Sequence, residues 1–533
     1  MNIDSLYKDL NKANYYLGII TEVYGSTATM QVENLTLLAH RNLRKESLVP
    51  NTINYPVIID ADNGLFFGRV YHTKLSNTQT IKEKLINGLK NEIIPELQID
   101  VISVIPSGKE KFELVGTLNV GIANKVYMAN QNIVEMYLSS LEIADRTETK
   151  LPTFAKMTFG INEYEFRIQP KTLFSRHLMI VGMTNSGKST SALAILDKMC
   201  NNHIKTLIID PTGEYRTTFS DDEIDKCILG KDTTIGTGEL SILQWAMMFE
   251  TNQNTQPVDL ERAIKLLRLQ KYSNKFVAYK LAGQSPESVN KDLDRLPDDA
   301  TDFELELLPK QLEEIAVQAN SRGIYEKSYF DYNRQSYLIE KIKYKLGNTQ
   351  LMTLFSSKSN LLEKIKNFLL GRRSLYIDIS QVDTTDGMGS AIIDIICNTI
   401  MSTPNKLDEP FVLFIDEVHR YTKNIENSYM GLVNIAREGR KKGIFLFLTT
   451  QSPNDVDKVI FSQIGTLIIH RLISFDDLQT VKNHISDKQL NAIKKLRTGE
   501  ALLTSVNLLQ NVSVNIEKST RKHDNNTPSL RGE

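Results

Sequence analysis

Cysteine is nearly missing: Cys200, Cys227 and Cys397 are the only three in 533 residues, far apart and without a C-x-x-C pair. That scarcity excludes a disulfide framework and a thiolate metal site, and it leads us to expect buried free thiols in a reducing, cytoplasmic setting. The eight histidines offer no pair at metal-ligand spacing. No apolar run approaches the ~20 residues that span a bilayer, so no membrane partner is expected. The segment from Met1 to Lys8 lacks a basic stretch followed by an apolar core, and so does not read as a signal peptide. There is no charge excess either: the formal net charge of -1 excludes coating of nucleic acid through bulk positive charge, but not a local basic channel. No internal repeat is visible. What remains, 41% hydrophobic and 24% charged, is the composition of a soluble globular protein, with length for about three or four domains.

The chain is organised around Gly182-Met183-Thr184-Asn185-Ser186-Gly187-Lys188-Ser189, a full match to the phosphate-loop pattern G-x-x-x-x-G-K-[ST]. His177 to Val181 before it is short and apolar, as a buried parallel strand should be. After it, Ala192, Ile195, Leu196 and Met199 recur at helical spacing. In a strand-loop-helix unit the free N–H groups of the helix start point at an anion. Lys188 then neutralises the β- and γ-phosphates and the Ser189 hydroxyl holds Mg²⁺. We therefore expect ATP and Mg²⁺ as cofactors, with Gly182, Thr184, Asn185, Ser186, Gly187, Lys188, Ser189 and Thr190 as the binding residues.

Phe411 to Ile415 is an apolar strand ending in Asp416 and Glu417, the Walker B form. Asp416 is expected to act on Mg²⁺ through water, and Glu417 to polarise the attacking water. Two more strand ends fall on the same face. Ile209-Asp210-Pro211-Thr212-Gly213-Glu214-Tyr215 places acids where parallel sheets bind ligands, and Phe447 to Gln451 ends in an amide able to sense a γ-phosphate. The segment from Ile435 to Gly443 packs Arg437, Arg440, Lys441 and Lys442 closely. It suits either an arginine finger from a neighbouring subunit or a solvated basic helix end. The acids Asp221, Asp222, Glu223 and Asp225 lack a companion Lys or His at a recognised catalytic spacing, and read as a solvated charge run rather than a nuclease site.

Organisation follows from the same patterns. Residues 15–130 read mainly as short strands with turns, a small barrel or sandwich, with a helix over 80–94. From 151 strands and helices alternate, the mark of a parallel α/β sheet. Between 255 and 350 the alternation breaks into charged helical segments, such as 260–269 and 304–320, with Pro286 and Pro297 as breaks. The expected division is a barrel for assembly at 1–150, an ATPase core at 151–254 and 351–518, a helical insertion at 255–350, and a flexible tail at 519–533, including Pro528.

Taken together, several motifs resemble the HerA family of the HerA/FtsK group of P-loop ATPases. They are Arg176-His177 leading into Gly182 to Ser189, Asp210 to Tyr215, Asp416-Glu417-Val418-His419-Arg420-Tyr421, and Arg437 to Lys441 followed by Gln451-Ser452-Pro453. The resemblance covers roughly 165–510. It implies a RecA-like core with a parallel sheet, a small N-terminal barrel like that family's, and a homo-hexameric ring. It also implies hydrolysis of ATP between subunits and movement on double-stranded DNA, with a nuclease or other effector as partner. Carried onto this sequence, Lys188 and Ser189 are the nucleotide and Mg²⁺ groups and Glu417 the catalytic acid. Asp210 and Gln451 match family positions. Arg440, with Arg437 second, matches the arginine given in trans, and Arg176 a basic residue before the loop strand. Asn185 stands where Gly is usual, and can still adopt a left-handed backbone. Thr212 stands where His is usual. A ring scaffold that activates an effector of nuclease or NAD-hydrolase type, as in antiviral defence, is the alternative. A conjugation-type DNA pump fits less well, for want of a membrane segment.

Overall fold

The computed structural model describes all residues except 9, 44–45, 76–77, 144–147, 253, 356–358, 383–386, 403–408, 423–430 and 524–533, and the side chains of 78–80. At its centre is an eleven-stranded sheet. Seven strands are parallel: Leu178–Val181, Thr206–Asp210, Ile224–Ile228, Ser374–Asp378, Phe411–Ile415, Ile444–Thr450 and Thr466–Ile469. Their sequences, such as LMIV and FVLFI, are β-branched, aromatic and buried along their length, as strands covered on both faces must be. The phosphate-loop strand Leu178–Val181 lies between Ile444–Thr450 and Thr466–Ile469. The strand ending in Gln451 is thus inserted between the phosphate-loop strand and Phe411–Ile415. This is the RecA-like arrangement, and it brings Gly182, Gln451 and Asp416 to one edge. Glu500–Ser505, Val512–Ile516, Ala155–Phe159 and Asn162–Phe166 extend the sheet antiparallel.

The N-terminal strands close on themselves. Tyr16–Tyr24, Thr27–Val32, Pro95–Pro106, Gly64–Leu75, Pro56–Ala61 and Lys125–Met128 form a barrel, sealed by pairing of Thr27–Val32 with Pro95–Pro106. A sandwich is ruled out by that closure. Glu113–Leu114 adds a short strand at the barrel's edge, and the expected helix over 80–94 is Thr78–Ile86. Gly88, at φ 72°, ends that helix before Leu89. One apolar core runs from the barrel, through Phe66, Phe67 and Tyr137, to one face of the large sheet at Ile180, Ile208, Phe414 and Phe447.

The other face packs on the helical segment, through Leu260, Ile264, Leu312 and Ile339. Here the pattern over 304–320 misled. The helix is Leu308–Ile315, and Val317–Ala319 then turns through Gly323 to pair with Tyr325–Lys327. Pro286 does not break a helix but starts one: it follows the cap Ser285, whose hydroxyl accepts the Ser288 N–H at 3.2 Å. Ser519 to His523, expected to be flexible, pack on their own chain; Pro528 lies outside the described residues. Among the described residues no helix is long and apolar enough to cross a membrane.

Candidate active site

The phosphate loop is set by its backbone. Asn185 has φ 61° and Gly187 φ 111°, so the left-handed conformation expected of Asn185 is the one it adopts. Gly182 admits no side chain: a Cβ there would sit 2.6 Å from both His470 Cβ and Ser186 Oγ. The helix Lys188–Asn201 starts directly behind the loop, and the first N–H groups of a helix have no partner within it. Ser189 and Thr190 are half-buried at this start.

Around this cradle the side chains form one connected set. Thr184 Oγ1 donates to Gln451 Oε1 at 2.9 Å, and Gln451 Nε2 donates to Glu417 Oε1 at 2.7 Å. The same Glu417 oxygen lies 3.8 Å from Lys188 Nζ, and its other oxygen lies 3.2 Å from His419 Nδ1. Burial opposes charge on Glu417, but His419, Lys188 and Gln451 prevail and hold its carboxyl below the usual range. Lys188 is lowered by burial, against the pull of Glu417, Asp416 and Glu214. The Asp416 carboxyl is pushed up to about 7, by burial first and then by the charge of Glu417. Thr449 organises both acids: its Oγ1 donates to Asp416 and accepts the Glu417 N–H at 2.9 Å. Glu417 itself has φ 46°, a strained backbone for a non-glycine residue that aims its carboxylate at the cradle.

A divalent cation fits the chemistry of this donor set. Asp416 and Glu417 are buried side by side, Glu214 bears on Asp416, and Lys188 lies within ion-pair distance of Glu417. Asp416, through water, and the Ser189 hydroxyl at the helix start would hold Mg²⁺.

Asp210 does something other than what its position suggested. Its Oδ1 accepts Thr212 N at 3.0 Å, Thr212 Oγ1 at 3.0 Å and Gly213 N at 2.9 Å. Its Oδ2 accepts Tyr215 N and Tyr376 Oη, each at 2.9 Å. A carboxylate has about four lone-pair sites, so these bonds leave it no free acceptor for water or metal. Asp210 is a positioning residue that shapes the loop, and Thr212 joins it in place of a histidine.

The arginines lie elsewhere. Arg440 Nη1 donates to Ser175 O at 3.1 Å, and the Arg176 stem crosses Gly465. Ser175, Arg176 and Gly465 precede the strands whose far ends carry the phosphate loop and His470. Arg437 sits one turn before Arg440, in a π-helical turn, and both are exposed. The seven residues of Ile444–Thr450 separate this edge from Gln451, about 20 Å at strand rise. Arg176, placed with the cofactor-binding residues by its motif, therefore stands with Arg440 and not with Lys188 of its own chain.

Two buried histidines, His470 and His177, hold these edges in shape. His470 accepts the Ser191 hydroxyl at Nε2, 2.8 Å, and donates from Nδ1 to Glu500 O, 2.9 Å. His177 accepts Leu446 N at Nδ1, 2.9 Å, and donates from Nε2 to Ala436 O, 3.0 Å, inside the turn that carries Arg437. Burial lowers each from 6.5 to about 4, which fixes these neutral tautomers. Between pH 6.5 and about 4 the unfolded chain thus binds more protons at these rings than the folded one. Their contribution to stability is whole above that window and is lost as pH falls through it. His470→Gln, which cannot take up the proton, is expected to show a shallower fall of Tm across the window than the natural chain; equal slopes would contradict the assignment. A signal for His470 was present, since it follows the apolar run 466–469, but strand ends of this kind carry many silent histidines.

Comparison with known proteins gives a consistent picture. The model described as "Helicase HerA, central domain" matches residues 157–400, and "Helicase HerA-like C-terminal" matches 401–515. These adjoining matches span well over half of the chain. A probable helicase of Methanocaldococcus jannaschii is 24% identical over 384 residues, covering 66% of this chain and 68% of that protein. The DNA double-strand break repair helicase HerA of Sulfolobus acidocaldarius is 22% identical over 385 residues, 70% of each. That of Pyrococcus furiosus is 22% identical over 503 residues, 84% of each. Among solved structures, the bacterial conjugative coupling protein TrwB is similar at TM-score 0.47 and 15% identity, covering 72% of this chain and 96% of that one.

Proposed function

The chain belongs to the HerA helicase family, and on that premise we propose that it is an ATP-hydrolysing motor. Its copies form a hexameric ring, complete one another's nucleotide sites and move on double-stranded DNA. One observation carries this. The phosphate loop, Lys188, Glu417 and Gln451 form one edge of the sheet, while Arg176, Arg437 and Arg440 stand on the opposite edge. Within one chain the two sets cannot meet, but a head-to-tail contact between copies joins them, and such contacts close into rings.

Lys188 lies 3.8 Å from Glu417. An entering γ-phosphate competes for Lys188 and leaves Glu417 to Gln451 and His419, turned toward a water. Glu417 then takes that water's proton, and Thr184 and Gln451 report the phosphate to Glu417 through their hydrogen bonds. Mg²⁺, held by Ser189 and by Asp416 through water, would neutralise the charge of the phosphates. An arginine from the adjoining copy stabilises the charge that develops as the phosphoryl group leaves.

DNA as the track follows from the relatives' description as DNA double-strand break repair helicases. With no net positive charge, contact would be local, to phosphates and with little base readout. ATP turnover is expected to rise severalfold on adding duplex DNA alone. Dependence on a protein partner and not on DNA would favour the second reading, a ring scaffold for an effector enzyme of nuclease or NAD-hydrolase type. One observation favours that alternative: Phe330, Tyr337 and Tyr344 recur every seven residues along Tyr329–Leu346 and are 77%, 70% and 84% exposed, a stripe suited to a protein interface.

A further inference from the structure

We infer that residues 517–523 form a strap that positions the rim of the nucleotide site, through Arg521 and through a His523–Glu214 pair. The inference rests on the ATP-hydrolase reading above. The strap leaves the sheet at Ile516, where Glu517 N donates to Phe154 O at 2.9 Å. Arg521 then engages all five of its N–H groups. Nε donates to Asp197 at 2.6 Å, and Nη1 to Glu223 at 2.9 Å and Thr218 O at 3.4 Å. Nη2 donates to Glu223 at 2.6 Å and Asn201 at 3.2 Å. The guanidinium also lies 4.9 Å from the Phe219 ring.

An ordinary surface arginine pairs once and loosely; this one ties three elements together. Asp197 and Asn201 belong to the helix behind the phosphate loop, Thr218 and Phe219 follow the Asp210 loop, and Glu223 leads into Ile224–Ile228. Lys522 O accepts the Thr218 hydroxyl at 2.9 Å, and the strap ends on the loop itself. The His523 ring is 4.9 Å from Tyr215, which stacks edge-on at 5.5 Å against Phe414 of the strand leading to Asp416. His523 Nε2 is 3.2 Å from Glu214 Oε2, a close polar contact without the alignment of a hydrogen bond.

Glu214 is the acid that needs holding. It is half-buried at the rim, and its charge acts on both Lys188 and Asp416. Freed from His523, it can turn toward Lys188 and compete with the γ-phosphate. His523 and Arg521 are thus positioning residues: they keep a second carboxylate off the lysine that must receive nucleotide.

The test uses the full chain and steady-state ATP kinetics. His523→Leu keeps the packing on Tyr215 and removes the polar contact with Glu214; it should raise KM for ATP about fivefold, the upper end for a partly exposed pair, with kcat and Tm little changed. Adding Glu214→Gln to His523→Leu removes the competitor and should restore KM. A merely structural strap would lower Tm, and a second substitution would not rescue it. An active natural chain whose KM is unmoved by His523→Leu, or not restored by Glu214→Gln, overturns the strap inference alone. A natural chain that turns over no ATP overturns the hydrolase reading and the strap with it.

Discussion

Glu417→Gln should cut ATP turnover by roughly 10²–10⁴-fold, the range for loss of a positioned general base, while nucleotide binding and ring assembly persist. The substitution keeps the size of the side chain and an acceptor for the Gln451 amide, which donates to Glu417 at 2.7 Å. What it removes is charge, and with it the ability to take a proton. Two neighbours gain. Lys188 loses its 3.8 Å partner and is freer to receive phosphate, so nucleotide affinity should hold or tighten. Asp416 loses the second-largest of the influences raising its carboxyl to about 7, so it ionises more readily. Binding of a fluorescent ATP analogue, with turnover measured on the same sample, checks both halves. Turnover at the natural rate would place the base elsewhere.

Arg440→Ala should have an effect of similar or greater size, on the order of 10³-fold or more, as for other trans arginines. The cost to stability should be small. Arg440 is exposed and its one described bond is to Ser175 O at 3.1 Å; changes of that kind usually stay within about 0.5 kcal/mol. Unchanged Tm with lost turnover is therefore the signature. Arg437→Ala serves as the comparison, since both side chains project from the same edge. Arg437 should matter less, because the π turn ends at Gly439 and leaves Arg440 to open the final turn. Natural turnover in both variants would return this basic run to the role of a solvated helix end.

The phosphate loop and the Phe411–Ile415 strand were legible because their chemistry demands fixed residues at fixed spacing: a glycine where φ is positive, a lysine at a helix start, an acid at a strand end. The parallel strands were legible because burial on both faces leaves short, wholly apolar runs. Asp210 shows the limit of that logic. The sequence placed its acid at the ligand-binding edge, but whether a carboxylate meets water or its own backbone depends on loop closure three to five residues on. Arg176 shows another limit, since adjacency along the chain to a phosphate loop becomes separation across a strand. His470, His177 and Thr449 act through partners 32 to 279 residues away, and no local pattern records such pairs. The strap was missed because Ser519 to His523 has no apolar periodicity; a saturated arginine and one ring orders it instead. Barrel closure rested on a pairing between Thr27–Val32 and Pro95–Pro106, which alternation within each strand leaves open.

The most direct test of the shared site is complementation between two inactive proteins. Lys188→Ala retains Arg440 but cannot hold nucleotide; Arg440→Ala retains Lys188 but cannot assist its neighbour. Each alone should be inactive. Mixed in equal amounts and reassembled at random, about one contact in four joins an intact loop to an intact arginine in a head-to-tail ring, and ATP turnover should return in that proportion. A mixture as inactive as its components, despite proven co-assembly, would contradict a site completed between copies of this chain.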